Sequence, residues 1–264
     1  MSKKNKGSLM HAMSQYLKPQ ESFVGWFDFE WPYTVISFNG DCSYPEKLNI
    51  FEETICKLLS IDKDISLLQI GSILGLDIEH DLAEKGILLN AIGKLKEEKM
   101  IDGDESIYWI TDLGVKNLKE GVKNSTYTKS FKLYIDALGD VCKDAKIIFE
   151  SLEHHETPSF NRNHLPENIE DVKPIAEWQA PEIHYPLKNY YLLSCAPLDA
   201  PIGFVALVRV VILKNNETDE LRALVTDRKG TKIINELSDA LNKLEEKKLE
   251  LYNKIIEIKK NVKI

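Results

Sequence analysis

The chain has 264 residues, 43% of them hydrophobic and 29% charged, which is ordinary for a soluble globular protein and long enough for one large or two modest domains. A net charge of −8 argues against a protein whose whole surface serves nucleic acid or anionic membrane. The cysteines at 42, 56, 142 and 195 show none of the paired spacings of zinc sites or thiol redox motifs, and they read as reduced thiols.

The first residues carry Lys3, Lys4 and Lys6 with no apolar core behind them, so a secretory leader is not expected. No run approaches the length that a bilayer-crossing helix needs, and the expected location is the cytoplasm. From Ser22 to Phe38, Phe23, Phe27, Phe29 and Trp31 alternate with Asp28 and Glu30, which is a strand signal. Pro32 interrupts the pattern before Thr34–Phe38 resumes it, so a bend or an edge is expected there. An aromatic stripe with no interleaved arginine reads as a core face, not as a platform for stacking bases. Residues 1–43 are therefore an N-terminal arm and an aromatic β segment.

Residues 44–122 form the segment whose caps, periods and turns agree best. Asn49 and Glu52 have capping-box spacing, and Phe51, Ile55, Leu58 and Leu59 follow at helical period. After the polar turn Asp62–Asp64, Leu67, Ile70, Gly71 and Leu74 give a short second helix that stops at Gly75. A third helix runs from about Asp81 to Lys99, with Leu88, Ala91, Ile92 and Leu95 on its inner face. Met100 and Ile101 lead into the turn Asp102-Gly103-Asp104, and Ser106–Ile110 reads as the returning strand. Thr111 caps a last helix that has Asp112 in its first turn and ends at Gly121.

In the run YWITDLG, Tyr108, Thr111 and Gly114 resemble the Y-x-L-T-x-x-G segment of winged helix-turn-helix proteins of the bacterial regulator type, over residues 44–121. The resemblance implies DNA contact through the third helix and the wing, and dimerisation through flanking helices. The charge departs from that expectation. The segment 44–121 holds 9 lysines and no arginine against 16 acidic residues, a net of −7, and so lacks the phosphate-neutralising surface from which DNA affinity largely comes. Asp77, Glu79, Asp81 and Glu84 occupy the approach to the third helix, where a DNA reader places donors. The residues available for DNA on this helix are Lys85, Lys94 and Lys96.

Residues 123–232 read as a β-rich domain with an extended, proline-rich loop. Lys123–Lys129 is polar and linker-like, Phe131, Leu133 and Ile135 alternate as a strand, and Asp136–Asp140 is a turn. Cys142–Ser151 fits either a strand or a short helix. Glu153, His154, His155 and Glu156 stand together, with His164, Glu177, Glu182 and His184 downstream. Adjacent histidines point in different directions, and no His-x-x-x-His or His-Glu-x-x-His spacing occurs, so an ordinary polar loop is expected and no metal, cofactor or catalytic residue is assigned. Phe204–Leu213 and Leu221–Thr226 form a hairpin in which Arg209 needs a partner. Gly230-Thr231-Lys232 lacks the order of a phosphate loop.

Residues 233–264 are expected to be a single helix in coiled-coil register. Ile234, Leu241, Lys248, Ile255 and Val262 fall at a, and Leu237, Leu244, Leu251 and Ile258 at d, with Lys248 as the one polar intrusion. Residues 201–264 carry 13 basic against 10 acidic side chains, which adds Arg222, Arg228 and Lys229 to the candidate nucleic-acid contacts. The expected fold is therefore α+β: a winged helix-turn-helix, a β-rich second domain and a C-terminal coiled coil. The expected function is that of a non-enzymatic adaptor, in which the acidic winged helix docks a protein partner and the terminal helix oligomerises. Alternatives are a dimeric winged-helix DNA-binding regulator and a hydrolase-type enzyme using Glu153–Glu156 with His164 or His184.

Overall fold

The computed structural model describes residues 16–62, 64–138, 143–157, 165–166 and 168–261, with the backbone alone over 258–261. The fold is α+β. In chain order the elements are β1 (Glu21–Lys47), α1 (Ile50–Ile61), α2 (Leu67–Leu74), α3 (Leu82–Glu97), β2 (Ile101–Asp104), β3 (Ile107–Ile110), α4 (Asp112–Glu120), β4 (Val122–Asp136), α5 (Ala145–Glu150), β5 (His154–Thr157), α6 (Ile169–Gln179), β6 (Tyr191–Pro197), β7 (Ile202–Asn215), β8 (Leu221–Asp227), α7 (Asn235–Lys243) and α8 (Glu245–Asn261). The chain divides into two compact units, one of Met1–Gly40, Lys129–His184 and Ser194–Ile264, the other of Asp41–Thr128 and Tyr185–Leu193.

The first unit is built on a six-stranded sheet with the order β4-β1-β7-β5, in which β6 also pairs with β1 and β8 with β7. Strand alternation sends Phe27, Phe29, Trp31 and Tyr33 to one face with Ala206, Val208, Val210 and Ile212 of β7. Phe149 of α5, Leu237 and Leu241 of α7, and Leu251 and Ile255 of α8 cover that face. The ring of Tyr33 stacks on Phe149 at 4.2 Å and on Phe204 at 5.4 Å. Trp31 is fully buried and donates its indole N–H to Asp136 Oδ1 at 2.7 Å, which satisfies the one polar atom of the ring. On the opposite face Arg209 finds Asp28 at 2.9 Å and lies 3.8 Å from the ring centre of Trp26. The cation is thus paired and stacked at once.

Polar side chains close two strands of this sheet. The amide of Gln179 accepts from the Tyr134 N–H at 2.7 Å and donates to the Tyr134 carbonyl at 2.8 Å, imitating a neighbouring peptide beside β4. Asn242 does the same for Ala223 of β8, at 2.8 Å in both directions. Such caps remove the open donors and acceptors through which strand edges aggregate.

The second unit packs α1, α2 and α3 against the β2–β3 hairpin, around Ile55, Leu59, Ile70, Leu88, Ile92, Leu95, Met100 and Tyr108. Asn49 and Glu52 form the capping box, and Ser66 with Gln69 forms a second one. Ile101 pairs with Ile110 and Asp104 with Ile107 in the hairpin, where Gly103 adopts φ +124° and a side chain would meet the Ile107 carbonyl.

Several expectations from the sequence are corrected. The terminal helix is not continuous: α7 stops at Lys243, Leu244 leaves helical geometry and α8 starts at Glu245. Ile234, Leu237, Leu241, Leu251 and Ile255 lie in the chain's own core, so the narrow stripe faces the sheet and not a partner helix. Lys248, buried beside them, bonds Glu245 at 2.7 Å and the Leu221 carbonyl at 3.3 Å. The side chain of Ile258 and the whole of Val262 lie outside the described residues. Of the bend or edge expected at Pro32 the edge is found: β1 runs on unbroken, and the Pro32 carbonyl accepts from Ala137 on the side where β4 has just ended, so the missing N–H falls where no strand asks for it. Lys123–Lys129 is strand and not linker, because Lys123 and Ser125 turn inward at alternate positions. Residues 145–150 are helical, which resolves the strand-or-helix alternative over the described part of 142–151. The proline-rich stretch contains α6, capped by Asn168 and carrying Pro174 inside it.

Candidate functional site

The second unit presents a surface built from α2, the turn behind it and α3. Gly75 ends α2 in the left-handed conformation, and the turn Asp77–Asp81 redirects the chain into α3. Asp81 caps α3, accepting from the N–H of Ala83 at 2.8 Å and of Glu84 at 3.2 Å. Glu84 reaches back to the Asp77 N–H at 2.6 Å, and Asp77 accepts from the His80 N–H at 3.2 Å. The positive end of the helix dipole is therefore already met by carboxylates of the chain itself, at the place where a phosphate would otherwise sit.

The outer side of these helices carries exposed apolar side chains among polar ones. Leu82 is 85% exposed, Ile87 59%, Leu68 52% and Ile73 58%. Between the first two, Ala83, Gly86 and Asn90 keep the α3 surface low, and nothing lies within 4 Å of the position a Cβ would take at Gly86. Beside α2 a shallow depression of about 540 Å³ is lined by Leu68, Leu76 and Ile78 together with Gln69, Ser72, Asp77 and Glu79. Helix α3 thus carries apolar side chains on two faces, Leu88, Ile92 and Leu95 inward and Leu82 and Ile87 outward.

Elsewhere in this unit an ion network fixes the ends of α1, α3 and β4. Lys123 Nζ lies 2.7 Å from Glu52, 3.1 Å from Glu98 and 3.9 Å from Glu46, and Ser125 donates to Glu46 and Glu98. Lys123 and Glu52 are buried, and Glu98 Oε2 is buried without a hydrogen-bond partner. Burial raises the Glu98 pKa above the ordinary carboxylate value despite the opposing pull of Lys123. Burial alone would lower the Lys123 pKa, but the bonds from Glu52 and Glu98 outweigh it and hold the ammonium above the ordinary lysine value. The Cys56 thiol is pushed up to about 12 by burial and then by Glu52 and Glu98, which makes it a poor nucleophile.

A group whose folded pKa is raised contributes stability that is present below its unfolded pKa and lost as pH rises through the folded one. Glu98→Gln removes that loss. The stability of this variant relative to the parent chain is expected to grow as pH rises above the ordinary carboxylate pKa and to level off once Glu98 has ionised in the folded chain, read by urea unfolding at each pH. A difference that stays flat or shrinks contradicts the assignment.

The six candidate nucleic-acid residues are shared between the two units. Lys85, Lys94 and Lys96 belong to the second unit, and Arg222, Arg228 and Lys229 to the first. Lys85 lies 4.0 Å from Glu105, and Lys96 donates to the Gly103 carbonyl. Arg222 makes a bidentate pair with Glu21 and Arg228 pairs with Glu153 at 3.1 Å. Lys94 and Lys229 stand exposed.

The histidine and glutamate cluster is strand β5. His154 turns toward the rings of Tyr33 and Phe204, its neighbours alternate away, and Glu153 pairs with Arg228. His184 is buried, and burial lowers its pKa. Among the described residues no three His, Cys, Asp or Glu side chains gather as metal ligands; His164 lies outside those residues. At Gly230-Thr231-Lys232 the Asp227 carboxylate takes the N–H groups of Thr231 and Lys232 at 2.6 and 3.0 Å, so a turn closed on its own aspartate stands there. No helix of the described residues is long and apolar enough to cross a membrane.

Compared with protein-family models, with curated proteins and with solved structures, the chain finds no match.

Proposed function

We propose that the unit around α1–α4 is a winged helix-turn-helix, with β2 and β3 as its wing, and that it serves as the docking module of a non-enzymatic adaptor protein. The order helix, helix, helix, hairpin, helix supports the first half of this reading. The observation that carries the second is the start of α3, the helix that would enter a DNA groove. The Asp81 carboxylate already takes the N–H groups of Ala83 and Glu84 there, the Glu84 carboxylate turns back to the Asp77 N–H, and leucine and isoleucine project outward beyond them. Such a surface repels phosphate and exposes apolar area, the reverse of what duplex binding requires.

The test sets the full chain against labelled duplex DNA and against lysate of its native host, treated or untreated with nuclease. The expected result is capture of protein that survives nuclease, with no DNA binding that weakens steeply between about 50 and 200 mM salt. Micromolar or tighter duplex binding with a steep salt slope supports the DNA-binding regulator instead.

A further inference from the structure

We propose that the outer face of α2 and α3 receives a basic amphipathic helix from a partner protein; this rests on the docking reading above. Three observations select that occupant. Leu68 and Ile73 on α2 and Leu82 and Ile87 on α3 offer exposed anchors, and a shallow depression with Leu68, Leu76 and Ile78 in its lining stands beside α2. The low surface at Ala83, Gly86 and Asn90 leaves room for a second helix to approach the α3 backbone closely. Asp77 and Glu79 line the depression, Asp81 and Glu84 add acidic charge at the start of α3 next to Leu82, and Lys85, the cation beside them on α3, is engaged with Glu105.

The acidic charge decides between occupants. In a symmetric pair of copies the same patch meets itself, which would set these acidic residues against their own image. Nucleic acid and anionic lipid are repelled by the same charges. A helix with apolar residues three and four apart and Lys or Arg on its flanks fits both the anchors and the acidic charge.

The test is selection of helical peptides from a random display library by the full-length chain, followed by anisotropy titration of the recovered peptides. Leu68→Ser, Ile87→Ser and Glu79→Lys are the variants; all three positions are exposed, and circular dichroism checks that each variant keeps its helices. The expected result is recovery of Lys- or Arg-flanked amphipathic helices whose affinity falls about tenfold or more in each variant and declines with salt. Neutral or acidic peptides that lose binding in Leu68→Ser and Ile87→Ser would overturn the basic partner and leave the docking reading standing. Peptides indifferent to all three variants overturn the site. A dimer of the chain that dissociates in Ile87→Ser makes a second copy the occupant and also overturns the proposal. Recovery of no peptide, together with salt-dependent duplex binding, overturns the proposal and the docking reading at once.

Discussion

Lys123→Met is expected to lower the unfolding free energy by about 3–5 kcal/mol, the range for removing one partner of a buried ion pair. The ammonium it removes sits 2.7 Å from Glu52, whose side chain is 3% exposed, and 3.1 Å from Glu98. Methionine fills much of the same volume, so the loss is not a cavity effect. It comes from leaving carboxylates in a site where water cannot replace the lysine. Glu52→Gln in the same chain should restore more than half of the loss, because the glutamine carbonyl can still accept the Asn49 N–H that Glu52 now takes at 3.2 Å. Urea midpoints of the parent, the single variants and the double variant measure this as a cycle. Additive losses would show that the pair is not coupled. The contribution of Lys123, whose folded pKa is raised, is present below the ordinary lysine pKa and disappears as pH climbs through the folded value. Parent and Lys123→Met should therefore converge in stability under strongly alkaline conditions.

Gly114→Ala is expected to cost about 3 kcal/mol, at or beyond the upper end of the usual overpacking range. An added Cβ would stand 2.0 Å from the Met100 carbonyl oxygen and 2.7 Å from Ile110 Cγ1. That carbonyl cannot retreat cheaply, because it accepts from the Thr111 N–H at 2.9 Å and from the Thr111 hydroxyl at 3.1 Å. The same exchange at Gly93 has nothing within 4 Å and lies in the helix interior, where alanine should stabilise by about 0.4–1 kcal/mol. Opposite signs for one chemical change at two glycines form the result to look for. Equal and small effects at both would refute the close approach at Gly114.

The short segment that carried the family resemblance has a physical meaning on these terms. Tyr108 is buried in the core of the second unit, Thr111 caps α4 by accepting from the Gly114 N–H, and Gly114 lets α4 approach the Met100 backbone. Each role is local to a turn or a cap, which is why it can be read from residue type and spacing. The first-unit hairpin was legible for the same reason: β7 and β8 are marked by apolar runs around a polar turn. Helix α6 was not, because Pro174 and its proline neighbours hide the capping signal that Asn168 and Asp171 provide. The proposed docking face was half legible. Its acidic charge shows in the charge count, but its apolar part depends on which side of α3 the core claims.

The terminal stripe marks the boundary between the two kinds of information. Ile234, Leu237, Leu241, Leu251 and Ile255 form the same spaced row whether a partner helix or the chain's own sheet covers it, since periodicity records that one face is dry and not what dries it. Sequence alone determined the α+β class, most caps and turns, the strongly acidic segment 44–121 and the need of Arg209 for a partner. Tertiary structure decided that the stripe faces β7 and β8, that Lys123 is buried among glutamates instead of lying in a linker, and that Leu82 and Ile87 face outward. All three depend on contacts between residues far apart in the chain, and local pattern carries no record of those distances.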